Sequence, residues 1–80
     1  MRIRVRYFAY YKERIGAEYE TVEIPPESTV SDLISTLMGM HPGKFKDNDI
    51  FISVNYRFAD KNERIKENEL VGVMPHVSGG

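Results

Sequence analysis

The residues with the clearest chemical potential are the last four of the sequence, which ends Val77-Ser78-Gly79-Gly80. Glycine has no Cβ, so a Gly-Gly stretch can enter a channel too narrow for other residues and can adopt backbone dihedrals that they avoid. The reactive group of such an end is the α-carboxylate of Gly80, which a nucleotide-dependent activating enzyme could reach. The alternative is a frayed terminus without function, because chain ends are commonly disordered and tolerant of change.

Size and composition favour a binding or carrier module over a self-contained enzyme. A chain of 80 residues forms one domain with a single core, and its net charge of −1 gives no broad field that would attract nucleic acid or a membrane. The lack of cysteine excludes disulfides, thiol catalysis and zinc-thiolate sites. Because His41 and His76 lie far apart in the predicted arrangement of elements, we expect no metal site. No apolar run approaches the ~20 residues of a membrane-spanning helix, and we expect a soluble cytoplasmic protein.

Alternating apolar and polar residues predict two N-terminal strands, Arg2 to Tyr10 and Glu18 to Ile24, separated by a helical turn or loop that Gly16 ends. We expect them to form an antiparallel hairpin, with acidic residues of the second strand paired to arginines of the first. The alternative for the arginines is attraction of an acidic partner. The first strand directs one set of side chains inward, Ile3, Val5, Tyr7 and Ala9, and another outward, Arg2, Arg4, Arg6, Phe8 and Tyr10.

A helix is predicted to begin after Thr29, because Thr29 and Asp32 have the spacing of a capping box. We expect the helix to end near Gly39, before His41-Pro42-Gly43. Apolar residues at helical spacing form one stripe, which we interpret as core: Val30, Leu33, Ile34, Leu37 and Met38.

The remaining pattern predicts a central strand over Ile50 to Tyr56, a charged segment in which Ile65 faces inward, and a last strand over Leu70 to Met74 that ends at Pro75. The element order β-β-α-β-β indicates an α+β fold, with a mixed sheet of four to five strands packed against one main helix. With short right-handed connections, the first and last strands lie side by side at the centre. This is the β-grasp, or ubiquitin-like, fold, with a domain at 1–75 and a flexible tail at 76–80.

The sequence resembles the small sulfur-carrier subunit of molybdopterin synthase, the MoaD type of the ubiquitin-like sulfur carriers. The resemblance covers almost the whole length, and its most specific part is the tail Pro-x-Val-Ser-Gly-Gly. His76 stands where the family often has a second proline, which would hold the tail extended. The simpler interpretation of His76 is a tolerated substitution in an exposed tail, and the alternative is titration near physiological pH. The other matching stretches are Val5-Arg6-Tyr7-Phe8-Ala9, Arg14-Ile15-Gly16, Thr29-Val30-Ser31-Asp32-Leu33, Ser53-Val54-Asn55 and Ile65-Lys66-Glu67-Asn68-Glu69-Leu70-Val71.

The resemblance implies chemistry on the main chain. An adenylating enzyme uses ATP to activate the Gly80 carboxylate, and a persulfide then converts it to a thiocarboxylate. The tail residues Val77, Ser78 and Gly79 enter the active site of a large synthase subunit, in a heterotetramer, where sulfur passes to cyclic pyranopterin monophosphate to form the molybdopterin dithiolene. The carrier itself would bind no cofactor, and the catalytic side chains would belong to the large subunit.

Four apolar residues are predicted to dock these partners: Phe8, Phe58, Met74 and Pro75. Phe8 lies on the otherwise charged side of the first strand, and Phe58 lies in a charged segment. Corresponding positions in the family meet partner subunits, and aromatic anchors among polar residues are typical of interaction hot spots. The alternative is scattered surface hydrophobicity, which is normal.

Two competing functions remain at this point. The same Gly-Gly chemistry serves carriers of the thiazole pathway and ubiquitin-like modifiers that are conjugated to lysines. A different class of function is a ubiquitin-like interaction domain whose tail is inert.

Overall fold

The computed structural model describes residues 1–46 and 49–76 and contains a five-stranded mixed sheet with strand order β2-β1-β5-β3-β4. Strands β1 and β5 are parallel, and the other three neighbouring pairs are antiparallel. This confirms the predicted α+β, β-grasp architecture, including the first and last strands side by side in the sheet. The elements are β1 (Arg2–Tyr7), α1 (Ala9–Ile15), β2 (Tyr19–Glu23), α2 (Val30–Met40), β3 (Phe51–Val54), β4 (Arg57–Phe58) and β5 (Leu70–Met74).

One face of the sheet and the apolar side of α2 form the core. Alternate residues of the N-terminal strand are buried, as a period of two requires. Helix α2 begins with the predicted capping box: the Thr29 N–H donates to Asp32 at 2.9 Å, and the Asp32 N–H donates to the Thr29 hydroxyl at 3.2 Å. The core residues are Ile3, Val5, Tyr7, Tyr11, Val22, Ile24, Val30, Leu33, Leu37, Ile52, Val54, Ile65, Val71 and Val73.

The predicted end of the first strand at Tyr10 is wrong. Strand β1 ends at Tyr7, and α1 begins at Ala9, so Phe8 is the residue before a helix and not part of the strand. Ala9 has φ 50°, a left-handed conformation that breaks the strand direction and that the alternating pattern does not reveal. Gly39 lies inside α2, which continues to Met40, and the backbone N–H of His41 closes the helix by donating to the Leu37 carbonyl at 2.9 Å.

The sequence pattern also missed strand β4, so the predicted order β-β-α-β-β lacks both this strand and α1. Strand β4 pairs with β3 through Ser53↔Phe58 and Val54↔Arg57. The tight turn between them has positive φ at Asn55 and Tyr56, which explains why β3 stops before the predicted end at Tyr56.

The fold places the exit of the chain at the middle of the sheet. Strand β5 lies between β1 and β3 and leads directly to Pro75 and His76. The predicted division into residues 1–75 and a tail at 76–80 stays a prediction, because 77–80 lie outside the described residues. Within the described ranges, we find no helix that is both long and apolar enough to cross a membrane.

Candidate docking face at the root of the C-terminal tail

The face of the sheet that points away from the core, here called the outer face, carries the predicted docking residues. The strand register places Phe51 opposite Met74, and Ser53 lies opposite both Gly72 and Phe58. Residues paired across strands share a face, so β5, β3 and β4 present these side chains together. The outer face is therefore a continuous surface that extends to the point where β5 ends.

Phe8 and Met74 both lie against Gly72 at the centre of this face. A Cβ placed on Gly72 would lie 3.1 Å from Phe8 Cε2 and 3.3 Å from Met74 Cε. The Phe8 backbone N–H donates to the Val73 carbonyl at 3.0 Å, which fixes this aromatic residue beside β5 although it lies outside β1. The Arg6 guanidinium lies 4.7 Å from the centroid of the Phe8 ring, a cation–π contact. The structure thus brings two of the four predicted docking residues into one apolar cluster.

Phe58 belongs to a second cluster, beside the first. Its side chain is 70% exposed, and its ring centroid lies 5.7 Å from that of Phe51 in an edge-to-face arrangement. The Phe51 ring is in turn 4.6 Å from the His76 ring. Sequence analysis did not select Phe51, although its position between Ile50 and Ile52 in a strand of period two indicated an outward side chain.

Pro75 and His76 form the root of the tail, at the end of β5. Pro75 is half-buried, and His76 is exposed. The His76 backbone N–H donates to Asp49 Oδ1 at 2.8 Å, a contact that sequence analysis did not predict. The remaining predicted site residues, Val77, Ser78, Gly79 and Gly80, lie outside the described residues.

The arginine stripe of β1 is mostly paired, as predicted. Arg2 contacts Glu23 at 3.4 Å, and Arg6 contacts Glu18 at 2.9 Å. Arg4 differs: its guanidinium lies 4.7 Å from the centroid of the Tyr19 ring, and the described residues give it no carboxylate partner. Among the described residues, Arg4 is therefore the arginine of the stripe whose charge is not balanced by a carboxylate contact.

On the core side of the sheet, ionisable side chains form hydrogen bonds with one another. The buried Tyr7 hydroxyl donates to Glu20 at 2.8 Å, and His41 Nε2 lies 2.9 Å from the same carboxylate oxygen. Burial, with a smaller contribution from Glu20, raises the pKa of Tyr7 well above its usual range. Within the described ranges, we find no group of three or more histidine, aspartate or glutamate side chains that could hold a metal ion.

Comparison with known proteins finds relatives that match the chain over almost its whole length. The molybdopterin synthase sulfur carrier subunit of Chlamydomonas reinhardtii is 28% identical over 83 residues, covering 100% of both chains. A solved structure from Pyrococcus furiosus, described as a putative molybdopterin converting factor, subunit 1, is 31% identical with a TM-score of 0.82 and covers 96% of this chain and 99% of that one. SAMP1 from Haloferax volcanii is 26% identical with a TM-score of 0.84, covering 100% of both chains.

A family model extends this similarity over nearly the whole sequence. The ThiS family model matches residues 5–80, from β1 through the tail. The resemblance to small sulfur-carrier subunits is thereby confirmed. The chain belongs to the ThiS family.

Proposed function

We propose that this protein is the sulfur-carrier subunit of a molybdopterin synthase and that the carboxylate of Gly80 carries the sulfur. The observation that carries the proposal is the position of the root of the tail. The central strand β5 ends beside the aromatic residues of the outer face and leads to Pro75 and His76, and the family match continues to residue 80. The similarity to the sulfur carrier subunit from Chlamydomonas supports the pathway.

The proposed chemistry needs no catalytic side chain in this domain. An activating enzyme transfers AMP from ATP to the Gly80 carboxylate and releases pyrophosphate, which converts a poor electrophile into an acyl-adenylate. A persulfide displaces AMP, and a thiol cleaves the acyl disulfide to leave a thiocarboxylate on Gly80. The sulfur then passes to cyclic pyranopterin monophosphate in the active site of the large subunit. On this proposal ATP belongs to the activating enzyme, and the carrier holds no cofactor.

The outer face is proposed as the docking surface for both protein partners. Phe8 and Met74 would form one anchor, and Phe58 would form a second beside Phe51. Pro75 would set the start of the tail, and Val77, Ser78 and Gly79 would cross the channel of the large subunit. Exposed aromatic residues surrounded by polar groups are the usual hot spots of such interfaces. The cytoplasmic location and the heterotetramer with two large subunits are predictions that accompany this proposal.

Intact-mass measurement tests the chemical step directly. We expect the protein, incubated with the activating enzyme of its host, ATP and a persulfide donor, to gain the mass difference between sulfur and oxygen. The matched control is the variant that lacks Gly80, which should keep its fold and show no gain. An unchanged wild-type mass, with an activating enzyme that loads another carrier, would favour the inert interaction domain.

A second function, conjugation to other proteins, is favoured by one observation. The fold matches that of SAMP1, a small archaeal modifier protein, at 26% identity over the full chain. The activation of Gly80 would be the same, but the acyl group would pass to a lysine amine. The last trypsin site of the chain is Lys66, so lysines of a tryptic digest that carry residues 67–80 through an isopeptide bond would establish this use, provided that deleting the gene removes them.

A further inference from the structure

Two contacts hold the root of the tail after the last strand has ended. The His76 backbone N–H donates to Asp49 Oδ1 at 2.8 Å, and the His76 ring lies 4.6 Å from the Phe51 ring. The last strand pair of β5 with β3 is Met74 with Phe51, so the sheet ladder itself no longer fixes residue 76. We call these three residues, Asp49, Phe51 and His76, the tail anchor.

Asp49 is itself held in place from the core. The hydroxyl of Tyr11, a fully buried residue of α1, donates to the Asp49 carbonyl at 2.6 Å. The Asp49 N–H donates to the Lys46 carbonyl at 3.2 Å. The backbone of Asp49 is therefore held by hydrogen bonds at both its N–H and its carbonyl group. Its side-chain carboxylate, which accepts from the His76 N–H, extends from this fixed position. A surface aspartate on an untethered loop would have to be ordered before it could orient anything.

Phe51 is fixed in the same way on the other side of the root. Its backbone belongs to β3, which pairs with β5, and its ring packs against Phe58. A ring in this position limits how far the His76 side chain can turn. Together, a backbone hydrogen bond and a ring contact restrict both the main chain and the side chain of residue 76.

This restriction acts where direction matters most. Residue 76 is the last described position before 77–80, and a change in its φ and ψ would swing every later residue. Fixing the backbone of one residue before binding corresponds to a gain of roughly tenfold in the population of the competent direction. Preorganisation of this kind favours a later binding or insertion step without adding a contact to the partner.

We propose that Asp49 is a positioning residue, which holds the His76 backbone so that the tail leaves the sheet in the direction required for sulfur transfer. The inference rests on the proposed function. The hydrogen bond runs through the backbone N–H of residue 76, which has a specific consequence. A proline at this position would restrict φ through its ring but would have no N–H to donate to Asp49.

The test is a double-mutant cycle on sulfur transfer. Thiocarboxylated wild type, D49A, H76P and D49A/H76P are mixed with the large synthase subunit and cyclic pyranopterin monophosphate, and single-turnover rates are measured at saturating subunit. We expect D49A to slow transfer about tenfold, with its Kd for the subunit within about twofold of wild type. H76P should remain close to wild type, and D49A should have no further effect in the H76P background.

The matched control is D60A, which removes the same charge from an exposed aspartate outside the tail anchor. We expect it to transfer sulfur at the wild-type rate. An equal loss from D49A in both the wild-type and the H76P backgrounds would overturn the inference, because Asp49 would then act on the domain and not through the His76 N–H. Transfer by D49A at the wild-type rate would overturn it as well.

A second measurement does not depend on sulfur chemistry. The ¹⁵N order parameter of the His76 amide should be close to that of rigid backbone, ~0.85, in the wild type and should fall toward ~0.6 in D49A. If wild type is never loaded or transfers nothing, the proposed function fails, but this measurement still decides whether the tail anchor exists. An order parameter that is low in the wild type, or unchanged in D49A, would refute the anchor alone.

Discussion

At the scale of single residues, Gly72 decides the shape of the outer face. It is buried at the centre of β5, although glycine usually weakens a strand. Its missing side chain leaves the space in which Phe8 and Met74 meet, and a Cβ there would also collide with Ser53 Oγ. Phe8 and Met74, which together form the first proposed anchor, can therefore lie over β5 only because residue 72 has no side chain.

Replacing Gly72 with alanine should destabilise the protein. Because Phe8 and Met74 lie within 3.3 Å of the new Cβ position, they must move, and overpacking of this kind typically costs about 1–3 kcal/mol. Urea unfolding of G72A measures this cost. The control is G39A: Gly39 lies in α2 with nothing within 4 Å of a Cβ, so alanine should stabilise the helix by up to about 1 kcal/mol. A G72A variant as stable as wild type would mean that the outer face can rearrange freely.

At the scale of secondary-structure elements, the turn between β3 and β4 stores backbone strain. Asn55 and Tyr56 have φ of 50° and 70°, and a bulky residue rarely adopts such values. The Asn55 side chain holds the turn against β5, since its Oδ1 accepts from the Leu70 N–H at 3.1 Å. Tyr56, by contrast, is 78% exposed and contributes little to the core.

Replacing Tyr56 with glycine should therefore stabilise the hairpin, in spite of the loss of an aromatic side chain. Asn-Gly is the preferred pair for a turn with two positive φ values, and relief of the left-handed strain amounts to about 1 kcal/mol. The matched control is Y56A, which loses the same ring but keeps the Cβ and hence the strain. Chemical denaturation should give a gain for Y56G alone. If Y56A gains as much stability as Y56G, the gain comes from removal of the exposed ring and not from relief of backbone strain.

Periodicity predicted the long elements because each of them buries apolar side chains at a regular spacing along the sequence. The capping box at Thr29, the alternation in β1 and the boundaries of β5 all depend on neighbours within a few residues. Strand β4 has only two residues, and its existence depends on pairing with β3. No local pattern contains that information.

The candidate site could likewise be predicted where it depends on local sequence patterns, but not where it depends on contacts between distant residues. The outward positions of Phe8, Phe58 and Met74 follow from composition and alternation, and the structure places them on one face. Asp49 contacts a residue 27 positions away, so only the folded chain reveals that its carboxylate meets the tail. Phe51 was not predicted as an outer-face residue, because the apolar content of its strand, rather than the alternation of its side chains, determined the interpretation.

At the scale of the whole molecule, the two faces of the sheet have separate tasks. The inner face and α2 contain the core, and two buried tyrosines connect it to distant segments: Tyr7 donates to Glu20 on β2, and Tyr11 donates to the Asp49 carbonyl. The outer face carries the aromatic clusters and leads to the tail. Substitutions of core residues should therefore lower stability, whereas substitution of an exposed outer-face residue such as Phe58 should lower binding to the proposed partners with little loss of stability.

Alkaline pH tests the contribution of the inner face. Burial raises the pKa of both Tyr7 and Tyr11 above the ordinary value of 10.0. Below pH 10 both the folded and the unfolded chain keep these tyrosines neutral, and their contribution to stability is fully present. As the pH rises above that value, the unfolded chain ionises them more readily than the folded chain, so folding loses stability, by up to about 1.4 kcal/mol per pH unit for Tyr7.

Urea unfolding between about pH 8 and pH 11 measures this loss. Y7F and Y11F should each be less stable than wild type at the lower pH, because each removes a buried hydrogen bond, but each should lose less stability as the pH rises. The control is Y56F, which removes the same hydroxyl group from a residue that is 78% exposed. Parallel curves for wild type, Y7F and Y11F would show that the folded protein ionises its buried tyrosines as readily as the unfolded chain does.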